Sequence, residues 1–134
     1  MIFYILRGVP GCGKSTLAKN LAGEQGVVCE ADNYFVSNYD GVYRYDPKKI
    51  GLAHGWCLDI TRNAMESQIP VVVLSNTNTD PLHFKKYEVL AEIFGYTVFH
   101  LIVENRHGGK DSHNVPEDAL ERMESTIRAN TQLR

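Results

Sequence analysis

The residues Gly8-Val9-Pro10-Gly11-Cys12-Gly13-Lys14-Ser15 carry the densest chemistry in the chain, in the spacing of a glycine, four residues, then Gly-Lys-Ser, with Thr16 following. Glycines at such positions let backbone N–H groups turn inward around phosphate oxygens, the lysine reaches the terminal phosphates, and the adjacent hydroxyl can ligate Mg²⁺. The apolar run Ile2-Phe3-Tyr4-Ile5-Leu6 precedes the loop and Leu17-Ala18-Lys19-Asn20-Leu21-Ala22 follows it, so a strand leads in and a helix leads out. That helix turns its positive dipole end toward the same anion. Gly8, Pro10, Gly11, Cys12, Gly13, Lys14, Ser15 and Thr16 are the candidate phosphate contacts, and Ser15 is the candidate metal ligand.

Other residues of chemical interest lie where further strands should end. Asp32 follows the apolar Val27-Val28-Cys29 and is a candidate general base, able to accept the proton of a hydroxyl aligned with a terminal phosphate. The alternative is a helix N-cap. Arg106, in the polar segment 104–114, could bring a guanidinium onto a transferring phosphoryl group when that segment closes; the alternative is a solvated loop arginine. Lys110 is a weaker cation of the same segment. Ser75-Asn76-Thr77-Asn78 ends the run Val71-Val72-Val73-Leu74 without the acidic residue that often organises Mg²⁺ there. Asn76 either orients substrate or a metal-bound water, or caps the strand end, and Asn78 joins it as a candidate substrate contact. His107 and His113 flank Asp111 but lack a third ligand at regular spacing, so they do not specify a metal site. The aromatics Tyr34, Phe35, Tyr39, Tyr43 and Tyr45 either stack on a base or pack over the sheet edge.

Elements able to hold these groups alternate along the chain. Strands are expected over Ile2–Leu6, Val27–Cys29, Pro70–Leu74 and Tyr96–Val103. Between them come helices from the phosphate loop to Ala22, from Pro47 to about Ser67 with a stripe of Ile50, Ala53, Cys57, Ile60 and Ala64, and from Asp80-Pro81 to Phe94 with Phe84, Tyr87 and Ala91 inward. A last helix starts near Pro116 with Leu120, Met123 and Ile127 on one face. Such alternation implies an α/β fold, a sheet of about four parallel strands with helices on both faces. Ligands then bind outside the carboxyl ends of the strands, where the loops named above converge.

The composition narrows the function classes. With 134 residues, 43% of them hydrophobic, the chain suits one domain spanning 1–134. A net charge of −2 gives no global basic field, so contact with a polynucleotide would be local and short. Three widely spaced cysteines suit thiols in a reducing compartment, the cytoplasm, and the N-terminal apolar run is too short for a signal peptide or membrane span.

Taken together, the phosphate loop, Asp32-Asn33-Tyr34, Tyr43-Arg44-Tyr45-Asp46-Pro47, Ser75-Asn76-Thr77-Asn78 and His113-Asn114-Val115-Pro116 resemble the P-loop kinase family that includes the kinase domain of phage-type polynucleotide 5′-kinase and small AAA or zeta-toxin-like nucleotide kinases. The resemblance covers nearly the whole chain. It implies a P-loop NTPase-type three-layer α/β/α fold with a lid loop, ATP and Mg²⁺ as cofactors, Asp32 as general base, and Arg106 as a lid arginine on ATP or the transferring phosphate. The implied activity is phosphorylation of a hydroxyl, foremost the 5′-OH of a single-stranded nucleic-acid end; a nucleoside or sugar kinase and a non-catalytic nucleotide-binding adaptor are the alternatives. Three positions depart from the phage enzyme's pattern. Phe35 stands where that enzyme has an arginine for the acceptor's 3′ phosphate, Asn76 where it has an aspartate, and Lys110 where a second lid arginine is expected. Lysine keeps the charge but loses the bidentate fork.

Overall fold

A computed structural model describes residues 1–36, 39–106 and 115–131. Four strands, β1 (Ile2–Arg7), β2 (Val27–Cys29), β3 (Val71–Ser75) and β4 (Thr97–Ile102), form one sheet in the order β2-β3-β1-β4, with every pairing parallel. The helices are α1 (Lys14–Ala22), α2 (Ile50–Glu66), α3 (Lys85–Phe94) and α4 (Glu117–Asn130). Among the described residues, no helix is long and apolar enough to cross a membrane.

Side chains on a strand alternate between the faces, and the two faces of β1 and β3 accordingly serve two layers. Phe3, Ile5, Val72 and Leu74 enter a large core with Ala53, Cys57 and Met65 of α2 and Tyr87, Leu90 and Ala91 of α3. On the opposite face Leu6 and Val73 pack against Ala18 and Ala22 of α1. The sheet is thus sandwiched between helical layers, as the alternation of elements predicts.

Local details depart from the sequence pattern for identifiable reasons. The expected helix from Asp80-Pro81 is split: the Asp80 carboxylate accepts from Leu82 N–H at 2.9 Å and holds a short 3₁₀ turn, Pro81–His83, before α3 starts at Lys85. Pro47 likewise opens a 3₁₀ turn capped by Asp46 rather than the first turn of α2. In α2 the fully buried line is Ala53, Cys57, Thr61 and Met65, at four-residue steps, while Ile50 is exposed and Ile60 and Ala64 are half-buried. Thr61 is tolerated inside because its hydroxyl donates to the Cys57 carbonyl at 2.8 Å. β4, expected over Tyr96–Val103, spans Thr97–Ile102 at one edge of the sheet and is largely exposed along its length.

Arg7 ends β1 and is only 5% exposed. Its Nε donates to the Asn78 carbonyl at 2.8 Å, one terminal nitrogen donates to the Thr79 carbonyl at 3.0 Å and to Asn130 Oδ1, and its guanidinium carbon lies 4.8 Å from the Phe84 ring centroid. The Asn78 amide answers by donating to the Leu6 carbonyl at 2.9 Å. One side chain therefore joins the end of β1, the loop after β3 and the end of α4. Replacing it with an apolar chain of similar length takes the donor from the buried Asn78 carbonyl and from Asn130 Oδ1, so Arg7→Met should lower the unfolding free energy by roughly 3 kcal/mol. Urea unfolding checks this as a lower midpoint at unchanged slope; an unchanged midpoint would show that the knot carries little stability.

Candidate active site

The phosphate loop runs from β1 into α1 and is built by backbone conformations that glycine supplies. Gly11 and Gly13 have φ of 83° and 99°, a region disfavoured for side-chain-bearing residues, and Gly13 occupies the N-cap of α1. At Gly8 the constraint is space rather than torsion. A Cβ there would lie 2.6 Å from Cys12 Sγ and 2.7 Å from the Val103 carbonyl oxygen, so the loop passes directly against the end of β4. Cys12 fills that gap at 1% exposure, which gives it a packing role.

Lys14 is folded into the loop, its Nζ 3.0 Å from the Val9 carbonyl and 3.6 Å from Cys12 Sγ. An ammonium held against backbone oxygen is poised to exchange that partner for a more negative phosphate oxygen. Ser15 and Thr16 lie in the exposed first turn of α1. Ser15 donates its hydroxyl to Oε1 of Glu30 at 2.6 Å, a carboxylate that the spacing of the sequence did not single out.

Asp32 sits in a 3₁₀ turn, Ala31–Phe35, directly after β2. The N-cap of this turn is Glu30, and Glu30 makes no side-chain capping bond there; Asp32 is the turn's second residue and does not cap it. Asn76 fixes the turn from below: its Oδ1 accepts from Ala31 N–H at 2.9 Å, and its Nδ2 lies 3.8 Å from Cys57 Sγ. The amide after β3 thus positions the segment that carries Asp32. Asn78 is 3% exposed, has φ of 47° and is committed to Leu6, so its geometry is that of a structural lock.

Phe35 is buried at 7% exposure and packs edge-on against Tyr34 at 5.4 Å, Tyr45 at 5.2 Å and Tyr43 at 6.2 Å between ring centroids. Tyr34 in turn meets Trp56 of α2 at 6.0 Å. The aromatic cluster therefore packs around the Asp32 turn, and an antiparallel bridge from Val36 to Tyr43 closes it. Tyr39 is 99% exposed.

On the other side of the loop, a cavity of about 610 Å³ is lined by Gly8, Val9, Val103, Arg106, Ile127 and Arg128, among others. Arg106 is exposed on its rim and pairs through Nε with the Glu104 carboxylate, and this hydrogen bond holds Glu104 below the usual carboxylate range. Arg106 and the start of the phosphate loop, Gly8 and Val9, thus line one cavity. Lys110, His107, Asp111 and His113 lie outside the described residues. Burial pushes the Cys29 thiol up to about 11 and raises Cys57 too, which marks both as core thiols.

A family model described as the AAA domain matches residues 3–129. Human NEDD4-binding protein 2 is 36% identical over 100 residues, covering 73% of this chain, and the chain spans 6% of that relative's length. Among solved structures, a candidate kinase from Chloroflexus aurantiacus superposes with a TM-score of 0.61 at 19% identity, over 98% of this chain and 70% of its own. The APS kinase of Mycobacterium tuberculosis gives 0.53 at 11% identity, over 95% and 96%. Both superpositions show the same fold.

The close passage at Gly8 makes a sharp test of the loop geometry. Gly8→Ala forces the loop away from Val103, and should destabilise the protein by roughly 2 kcal/mol. Thermal unfolding would read that loss, and equilibrium titration with a nucleotide should show weakened binding of ATP; a variant with wild-type stability would mean that the loop has room to relax.

Proposed function

The chain belongs to the AAA domain family, and on that premise we propose that it is an ATP- and Mg²⁺-dependent kinase that transfers the γ-phosphoryl group to a hydroxyl, with the 5′-OH of a single-stranded nucleic-acid end as acceptor. One observation carries this reading: the phosphate loop, with Lys14 folded into it, and the turn bearing Asp32 both follow parallel strands at the same edge of the sheet. Ligands of open parallel sheets bind at that edge.

The loop N–H groups and Lys14 hold the β and γ phosphates, and α1 adds its dipole. Asp32 accepts the acceptor hydroxyl's proton as its oxygen bonds to the γ-phosphorus; the bond from phosphorus to the β–γ bridging oxygen breaks and ADP leaves. Arg106, on the rim beside Gly8, exchanges Glu104 for the transferring phosphoryl and stabilises charge that spreads over it. Ser15 offers an exposed hydroxyl, a hard oxygen donor that would hold a Mg²⁺ ion brought in with ATP, and such an ion would supply charge neutralisation for the phosphates. No disulfide joins Cys12, Cys29 and Cys57, which supports the cytoplasm as the compartment.

The burial of Phe35 favours a second reading, a small-molecule kinase for a nucleoside or sugar. A ring enclosed by Tyr34, Tyr43 and Tyr45 supplies no charge to clamp a phosphate on the acceptor. Labelled ATP incubated with 5′-OH oligonucleotides, nucleosides and sugars separates the two. Label on the oligonucleotide supports the first reading; label confined to a nucleoside or sugar replaces it with the second. Asp32→Asn should lower turnover by roughly 10²- to 10⁴-fold while ATP affinity stays near wild type. A wild-type chain that binds ATP but labels no acceptor would instead be a nucleotide-binding adaptor.

A further inference from the structure

At the end of β3 the chain has Ser75-Asn76 in place of the carboxylate that commonly flanks the metal in phosphoryl-transfer sites. Oxygens from two other places in the fold meet beside it. Ser15, in the first turn of α1, donates to Glu30 Oε1 at 2.6 Å. Glu30 continues β2 in an extended conformation, φ −131° and ψ 130°, so alternation turns it to the same face as Val28, the face packed by α1. Cys29 pairs with Leu74, and the register carried on by one residue sets Glu30 beside Ser75.

Ser75 shares that face with Val71 and Val73, which pack in the α1 layer. It is 5% exposed, and its Oγ is the one buried side-chain polar atom without a hydrogen-bond partner among the described residues. Buried hydroxyls are nearly always hydrogen-bonded, so an orphan on the sheet face that α1 covers, next to Glu30 in the strand register, points to a polar group that binds there. A metal-held water is such a group.

We propose that Glu30, assisted by Ser75, is the anionic flank of the nucleotide-bound Mg²⁺: the Glu30 carboxylate ligates the ion or one of its waters, and Ser75 Oγ binds a water of the same shell. The inference rests on the reading of the Ser15 loop as an ATP and Mg²⁺ site. Mg²⁺ favours oxygen donors, takes one or two carboxylates and keeps several waters. Neighbouring oxygens of its octahedron lie about 3 Å apart, so a carboxylate 2.6 Å from the Ser15 hydroxyl is already within reach of an ion on that hydroxyl. The two acids after β2 then divide the work, Glu30 serving the cation and Asp32 the proton.

A purely structural Glu30 would need only an acceptor oxygen for Ser15, which glutamine also supplies. Glu30→Gln therefore removes the charge and keeps the hydrogen bond. The test titrates a fluorescent non-hydrolysable ATP analogue into the full chain, first in EDTA and then across a Mg²⁺ series, with Mn²⁺ affinity of the same complex read by electron paramagnetic resonance. Metal-free affinity of Glu30→Gln should equal or exceed wild type, which also reports that the site is folded, whereas the Mg²⁺ and Mn²⁺ needed for half-saturation should rise at least about tenfold. Glu30→Asp should recover most of the metal affinity, and Ser75→Ala should weaken it without changing metal-free binding. Identical metal dependence in wild type and Glu30→Gln would overturn the proposal while leaving the nucleotide site intact. A wild-type chain that does not bind the analogue at all would overturn the reading beneath it as well.

Discussion

The candidate site depends on a buried cation that takes no part in its chemistry. Arg7 is the last residue of β1 and the residue immediately before the phosphate loop, so its side chain fixes the point from which that loop departs. Its hydrogen bonds to the Asn78 and Thr79 carbonyls pin the loop after β3, and its bond to Asn130 brings the end of α4 to the same point. A guanidinium removed from water is costly unless its donors are satisfied. Here backbone carbonyls, an amide and the face of Phe84 replace the water, and the return bond from Asn78 to Leu6 closes the knot. Burial pulls the Arg7 pKa below its ordinary value, while Asp80 and Glu88 act in the opposite direction. The ends of β1 and β3 are thereby locked in register at the edge where ligands bind.

From that fixed edge the site divides into two kinds of structure. The donor side is backbone geometry: two glycines at positive φ, a helix N-terminus and a lysine parked on the Val9 carbonyl. Preorganised N–H groups need no rearrangement when an anion arrives, which is the physical advantage of building a phosphate site this way. The Asp32 side is held by side chains instead. Asn76 reaches across from β3 to bind the first N–H of the Asp32 turn, and the rings around Phe35 wedge the turn against α2. An amide is well suited to that job, because it accepts from Ala31 without adding a second negative charge near Asp32.

What could be read from the sequence follows the range of the interaction. The phosphate loop is local, with every residue it needs inside one stretch of chain, and the strand and helix around it show as apolar periodicity. The four parallel strands were legible for the same reason, as short apolar runs with polar stops. The starts of α2 and α3 were not, because Asp46 and Asp80 cap 3₁₀ turns whose side-chain bonds mimic a helix start in composition. Arg7 and Glu30 were missed because their partners are distant in sequence: Glu30 bonds a serine fifteen residues away, and Arg7 an amide at 123 residues' separation. Ser75 was missed because burial without a partner leaves no pattern in the sequence. The one signal available for Glu30 was its place beside Asp32 at a strand end. Asn76 and Asn78 were visible as polar residues at such an end, but their partners, the Ala31 N–H of the Asp32 turn and the Leu6 carbonyl of β1, are set by the fold.

The Phe35 position shows how phosphate binding and acceptor binding differ in physical kind. Phosphates of every nucleotide are alike, so any loop that binds them converges on the same backbone solution and leaves the same spacing in sequence. Acceptors differ, and their recognition comes from side chains on loops between conserved-length elements, where one substitution changes the chemistry offered. Burying a ring at Phe35 converts a place that could hold a charge into packing for the Asp32 turn, while Tyr39, Arg44 and Tyr45 stay exposed in the segment that follows. Arg44 is held there by a 2.6 Å pair with Asp40, an exposed contact weak enough to yield to an incoming anion. Recognition of that kind selects by shape and by stacking on aromatic faces more than by a fixed ionic clamp. The same aromatic residues thus hold the Asp32 turn against α2 and carry the exposed faces of the segment that follows it.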